Sequence, residues 1–139
     1  MSNLCDIKSG LCDGHLNIPR IKMPQIPDDI MPDLLEHLEA YGYTLRATSI
    51  PVYQLKPTQN ELNTNKVCDM VENYLAGDFP DITDTIIVSS DGYIIDGHHR
   101  WAACRLISPT IKMQTIQVEL PIRKLLRVIR DYPGVRIDG

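Results

Sequence analysis

The chain has 139 residues, 43% of them hydrophobic and 23% charged, with a formal net charge of −4 at neutral pH. That composition suits one ordinary globular domain, and the length is enough to bury a core without staples. The acidic balance excludes DNA binding driven by charge over the whole surface. The absence of any run of ~18 apolar residues excludes a membrane-spanning helix.

Residues 1–27 carry Gly10, Gly14, Pro19, Pro24 and Pro27 with little periodicity. They read as an extended arm that packs on the domain or on a protein partner, including a second copy of the chain. Its start, MSNLCDIKSG, has neither the basic region nor the apolar core of a secretory signal, so a cytoplasmic protein is expected. Cys5, Cys12 and His15 match no standard zinc spacing, and Cys68 and Cys104 read as buried thiols.

Residues 28–139 read as a single domain. A first helix is predicted from about Pro32 to Tyr41, with Leu34, Leu35 and Leu38 inward and Gly42 ending it. Thr48 to Leu55 reads as a strand, which Pro51 confines to a sheet edge or a bulge. In Pro57-Thr58-Gln59-Asn60-Glu61, Thr58 or Asn60 suits a helix cap, and Glu61 suits the positive end of a helix. A helix then runs from about Thr64 to Ala76, with Val67, Met70, Val71, Tyr74 and Leu75 recurring at helical spacing.

Thr85–Ser89 and Tyr93–Ile95 flank Asp91-Gly92 and predict a hairpin. His98 to Leu106 follows as a helix, Ile116 to Leu120 as a half-exposed strand, and Pro121 to Asp131 as an amphipathic helix. In that last helix Ile122, Leu125, Leu126 and Ile129 face inward and the arginines outward. The C-terminal third is basic, which permits a local polyanion site. The expected fold class is α+β: a compact domain with a small mixed sheet and flanking helices, preceded by the arm.

The densest chemistry lies in Asp96-Gly97-His98-His99-Arg100 (DGHHR), at the junction of the second hairpin strand and the next helix. Gly97 permits a backbone conformation closed to other residues and a close approach of ligand to main chain. The first helical turn offers unpaired N–H groups and the positive end of the dipole to an anion. Arg100 adds a forked cationic grip on phosphate, and His98 and His99 can donate hydrogen bonds to it. Asp96 would repel a phosphate unless Mg²⁺ lies between them; alternatively it caps the helix. Zinc held by His98 and His99 is disfavoured, because adjacent helical residues point to different faces.

The run IIVSSDGYIIDGHHRWAA resembles the ParB/sulfiredoxin superfamily, in which a strand pair delivers a phosphate-binding motif onto a helix. Sulfiredoxin's catalytic cysteine has no counterpart, since His98 stands at that place. The DGHHR form is most similar to the branch holding free-serine kinases and ParB-like nucleases, and the likeness covers about residues 48 to 120. It implies a Mg²⁺-dependent kinase or NTPase using ATP, ADP or another nucleotide, with a small hydroxyl-bearing acceptor or water. In that scheme Glu61, Asp96 and His98 are catalytic, and Asp96 and Glu61 are metal-side carboxylates. Thr58, Gly97, His98, His99 and Arg100 bind the phosphates. The resemblance leaves two alternatives: a DNA-binding protein or nuclease, and a non-catalytic accessory module. It also suggests a bacterial or phage-infected cell, without the helix-turn-helix domain of partition proteins.

Overall fold

In a computed structural model of the chain, residues 3–6, 11–77 and 85–136 are described. The parts of the arm at 1–2 and 7–10 lie outside them. Four strands form one mixed sheet: β1 Leu45–Pro51, β2 Ile86–Val88, β3 Ile94–Asp96 and β4 Lys112–Val118, in spatial order β1-β4-β2-β3. β1 runs antiparallel to β4, β2 runs parallel to β4, and β2 and β3 form the antiparallel hairpin. β1 is therefore an edge strand ending at Pro51, the place where a missing N–H costs no ladder bond. The four α-helices among the described residues are α1 Met31–Ala40, α2 Thr64–Leu75, α3 His98–Ile107 and α4 Ile122–Arg130. The domain is α+β, with a small mixed sheet and flanking helices.

The sheet is covered on both faces, because alternate strand residues point to opposite sides. Ile86, Val88 and Ile94 enter one core with Val67 of α2 and Trp101, Ala102 and Ala103 of α3. Ile87 and Ile95 enter a second core with Leu34 and Leu38 of α1 and Ile122, Leu125, Leu126 and Ile129 of α4. This double burial explains why β2 reads as a continuous apolar run without alternation.

The inward faces of α1 and α4 are as predicted, but that of α2 is narrower. Only Val67 is fully buried there, while Met70, Val71 and Tyr74 are partly so and Leu75 is 73% exposed. Cys68 on the same helix is exposed, correcting the expectation of a buried thiol; Cys104 is buried. Asp91, expected as a hairpin-turn residue, also caps a distant helix, accepting from Ile122 N at 3.1 Å.

The arm lies on the domain. Cys5 and Cys12 are joined by a disulfide, and Leu4, Leu11 and Cys12 enter the first core while Met23 enters the second. Ile18 pairs with Gln59, and Gln25 pairs with Arg136 near the other end of the chain. Among the described residues, no helix is long and apolar enough to cross a membrane.

Candidate functional site

Gly97 is the N-cap of α3, with φ +102° and ψ 24°, and no side chain caps this helix. The left-handed turn swings the chain from β3 directly into the helix and leaves the first helical amides without a capping side chain. Beside this end lies a cavity of about 140 Å³. It is walled by Asp96, Gly97, His98, His99 and Arg100 from the motif, by Lys66 and Met70 of α2, by Gln59, and by Arg20, Met23 and Gln25 of the arm. Three segments distant in sequence thus place Arg20, Lys66 and Arg100 around one space.

The two histidines have a definite task. His98 Nε2 accepts from Thr58 N at 2.9 Å and, more weakly, from Gln59 N at 3.4 Å, while His99 Nε2 accepts from Asn63 N at 3.1 Å. An Nε2 that accepts carries no proton, so the ring proton of each sits on Nδ1. Adjacent helical side chains diverge, and the 58–63 segment wraps across the helix start to meet both. Burial pushes the His98 pKa down to about 3, with His99 adding to the shift. His99 is pushed down to about 4, first by burial and then by the positive charges of Lys66, Arg20 and Arg100. Both are neutral struts. His98, expected to be catalytic, is buried, and its Nε2 is committed to the backbone amides of Thr58 and Gln59.

Arg100 Nη2 donates to Thr85 O at 3.3 Å and meets Asp96 Oδ2 at 3.4 Å, while its buried Nε has no hydrogen-bond partner among the described residues. Asp96 does not cap α3. Its side chain, 37% exposed, is the one carboxylate on the cavity wall among the described residues. Its pKa is raised chiefly by burial and partly by Asp28, against the opposing pull of Arg100 and Lys66.

The upstream residues fall elsewhere. Thr58 is fully buried and donates its hydroxyl to Ile94 O at 2.6 Å, so it holds the loop to β3 and does not line the cavity. Glu61 does not line it either; its carboxylate accepts from Arg20 N at 3.2 Å. Neither Thr58 nor Asn60 caps α2; its N-cap is Asn63, whose side chain accepts from Lys66 N. The structure therefore brings Asp96, Gly97, His98, His99 and Arg100 together and leaves Thr58 and Glu61 outside.

It adds Arg20, Lys66 and Gln59, which sequence reasoning missed. Arg20 sits in a segment without periodicity, and Lys66 looks like any charge on a solvated helix face. Among the described residues no cluster of three or more His, Cys, Asp or Glu side chains could hold a metal. Mg²⁺ bound through one carboxylate, phosphate oxygens and water is compatible with Asp96, and Glu61 does not line the cavity. Comparison with protein-family models, with curated proteins and with solved structures returns no match.

Proposed function

We propose that the protein binds the terminal phosphates of a nucleotide such as ATP or ADP in this cavity, and that phosphoryl transfer or hydrolysis is its reaction class. The observation that supports this reading is the convergence of Arg20, Lys66 and Arg100 on the uncapped N-terminus of α3. A helix start and three cations are complementary to the spread negative charge of a phosphoryl group. The cavity is small, so it takes phosphates while the nucleoside extends outside it. Asp96 is then the carboxylate that accepts the proton of an attacking hydroxyl or water, a role its raised pKa favours. Mg²⁺, if bound, would be held by Asp96 and the phosphates and would neutralise their charge. The resemblance of the DGHHR run to the ParB/sulfiredoxin superfamily points the same way, with Asp96 taking the place expected for Glu61.

Thermal shift and calorimetry with ATP, ADP and pyrophosphate, with and without Mg²⁺, test the reading. Ligand bound only to the native state raises the melting temperature. Arg100→Ala should weaken binding by about tenfold to a hundredfold, the range for losing one charge-assisted hydrogen bond. Asp96→Asn should abolish turnover while sparing the affinity measured without Mg²⁺, and Glu61→Gln should leave both within a few fold. No shift with any phosphate compound would sink the proposal. Binding without turnover would leave the non-catalytic module.

A second reading has its own support. A groove beside the arm is lined by Lys22, Arg123, Arg127 and Arg130 against a single carboxylate, Asp131, among the described residues; this net positive lining suits a polyanion and keeps the DNA-binding or nuclease alternative. Nucleic-acid affinity should then fall steeply with salt, unlike that of a mononucleotide.

A further inference from the structure

A second pocket has the opposite electrical character. It measures about 350 Å³ and is lined chiefly by His37, Tyr41, Tyr43, Asp131 and Tyr132. Its walls are rings. His37 stands at 58° to Tyr41 with centroids 4.8 Å apart, and at 55° to Tyr132 with centroids 5.0 Å apart. Tyr41 and Tyr43 are nearly parallel, at 11° and 6.5 Å. Tyr41 remains 71% exposed, so its ring is not used up in the core.

Three independent features give this pocket a negative potential. Aromatic faces carry the negative lobe of the ring quadrupole. Asp131 contributes a carboxylate, which also borders the groove of Arg127 and Arg130, and among the described residues no lysine or arginine lines the pocket itself. Two helices also end here, since Tyr41 is the C-cap of α1 and Asp131 that of α4, and helix C-termini carry partial negative charge. A primary ammonium needs acceptors for its three N–H groups in place of strong hydration, whereas this lining, Asp131 and the helix-end carbonyls apart, is mostly ring. A trimethylated ammonium needs none and presents its methyl groups to ring faces.

We propose that this pocket binds a quaternary ammonium group through cation–π contact with Tyr41, Tyr43 and Tyr132, with Asp131 as its counter-charge. The volume lies within the range of about 300–1,000 Å³ usual for small-molecule sites, which leaves room beyond the cationic head. The proposal rests on neither the phosphate cavity nor the family resemblance.

Calorimetric titration of the intact protein with choline, with Nε-trimethyllysine, and with the neutral isostere of choline that has carbon in place of nitrogen tests it. A cation should bind, and the isostere should bind at least about tenfold more weakly. Preference for choline assigns a free small molecule, and preference for trimethyllysine assigns a modified side chain. Tyr41→Leu should weaken binding by about three- to thirtyfold, the cation–π range, while Tyr41→Phe keeps the ring and the affinity. Melting temperatures should stay unchanged, because Tyr41 is exposed. Equal binding of the isostere, no binding of either cation at millimolar concentration, or equal affinity of the Leu and Phe variants would overturn the assignment.

Discussion

His98 and His99 each turn an unprotonated Nε2 towards a backbone amide of the 58–63 segment, and that use sets their response to acid. Their folded pKa values, about 3 and about 4, lie below the ordinary 6.5. Below about pH 6.5 the unfolded chain therefore binds protons that the fold refuses. Their contribution to stability is complete above that pH. It is withdrawn as pH falls towards 4 for His99 and 3 for His98, by up to ~1.4 kcal/mol per pH unit for each histidine. Urea unfolding followed from pH 7 down to 4 should show this slope, and His98→Gln, whose amide oxygen can still accept from Thr58, should make it shallower. Identical slopes would remove His98 as the cause. The density of polar groups in DGHHR was visible in the sequence, but the direction of the hydrogen bonds was not. A histidine that donates to phosphate and one that accepts from an amide look the same on paper.

At the scale of elements, the junction of β3 and α3 depends on Gly97. A Cβ there would overlap Ile86 Cγ2 and lie 2.9 Å from Ile86 Cβ, on a backbone with φ +102°. Gly97→Ala should cost about 1–2 kcal/mol for the left-handed backbone and about 1–3 kcal/mol more for overpacking against β2. Chemical denaturation measures the sum, and an effect below ~1 kcal/mol would mean that the junction relaxes freely. Element positions were largely legible: each predicted helix and strand is present, with ends shifted by a few residues, because amphipathic spacing and turn residues are local signals. The segment at 57–61 was misread as a helix start for an equally local reason. Thr58 and Glu61 fit a cap by type, and only the distant partners Ile94 and Arg20 show what they do.

At the scale of the molecule, the arm is part of both cores and a wall of the cavity at the start of α3. A fully buried Leu or Met contributes ~1.5–3 kcal/mol by leaving water, and Leu4, Leu11 and Met23 are all buried. Deleting residues 1–27 should therefore lower the melting temperature sharply or prevent folding. Met23→Ala alone should cost ~2–5 kcal/mol. If the arm served only a partner, Met23→Ala would leave the melting temperature of the monomer unchanged. The same deletion would remove Arg20 and open one side of the cavity, so the arm links stability to the site.

The sequence alone determined the α+β class, the buried stripe of α4 and the strand–glycine–helix junction. Each follows from side-chain period or backbone freedom within a dozen residues. Tertiary structure decided what lies far apart along the chain: the parallel pairing of β2 with β4, Asp91 capping α4, the arm's seat on both cores, and the meeting of Arg20, Lys66 and Arg100. It also placed Asp96 in the cavity and kept Glu61 out. Hydrogen bonds and charges act over a few ångströms of space, and chain distance carries almost no information about that separation once the sheet has closed.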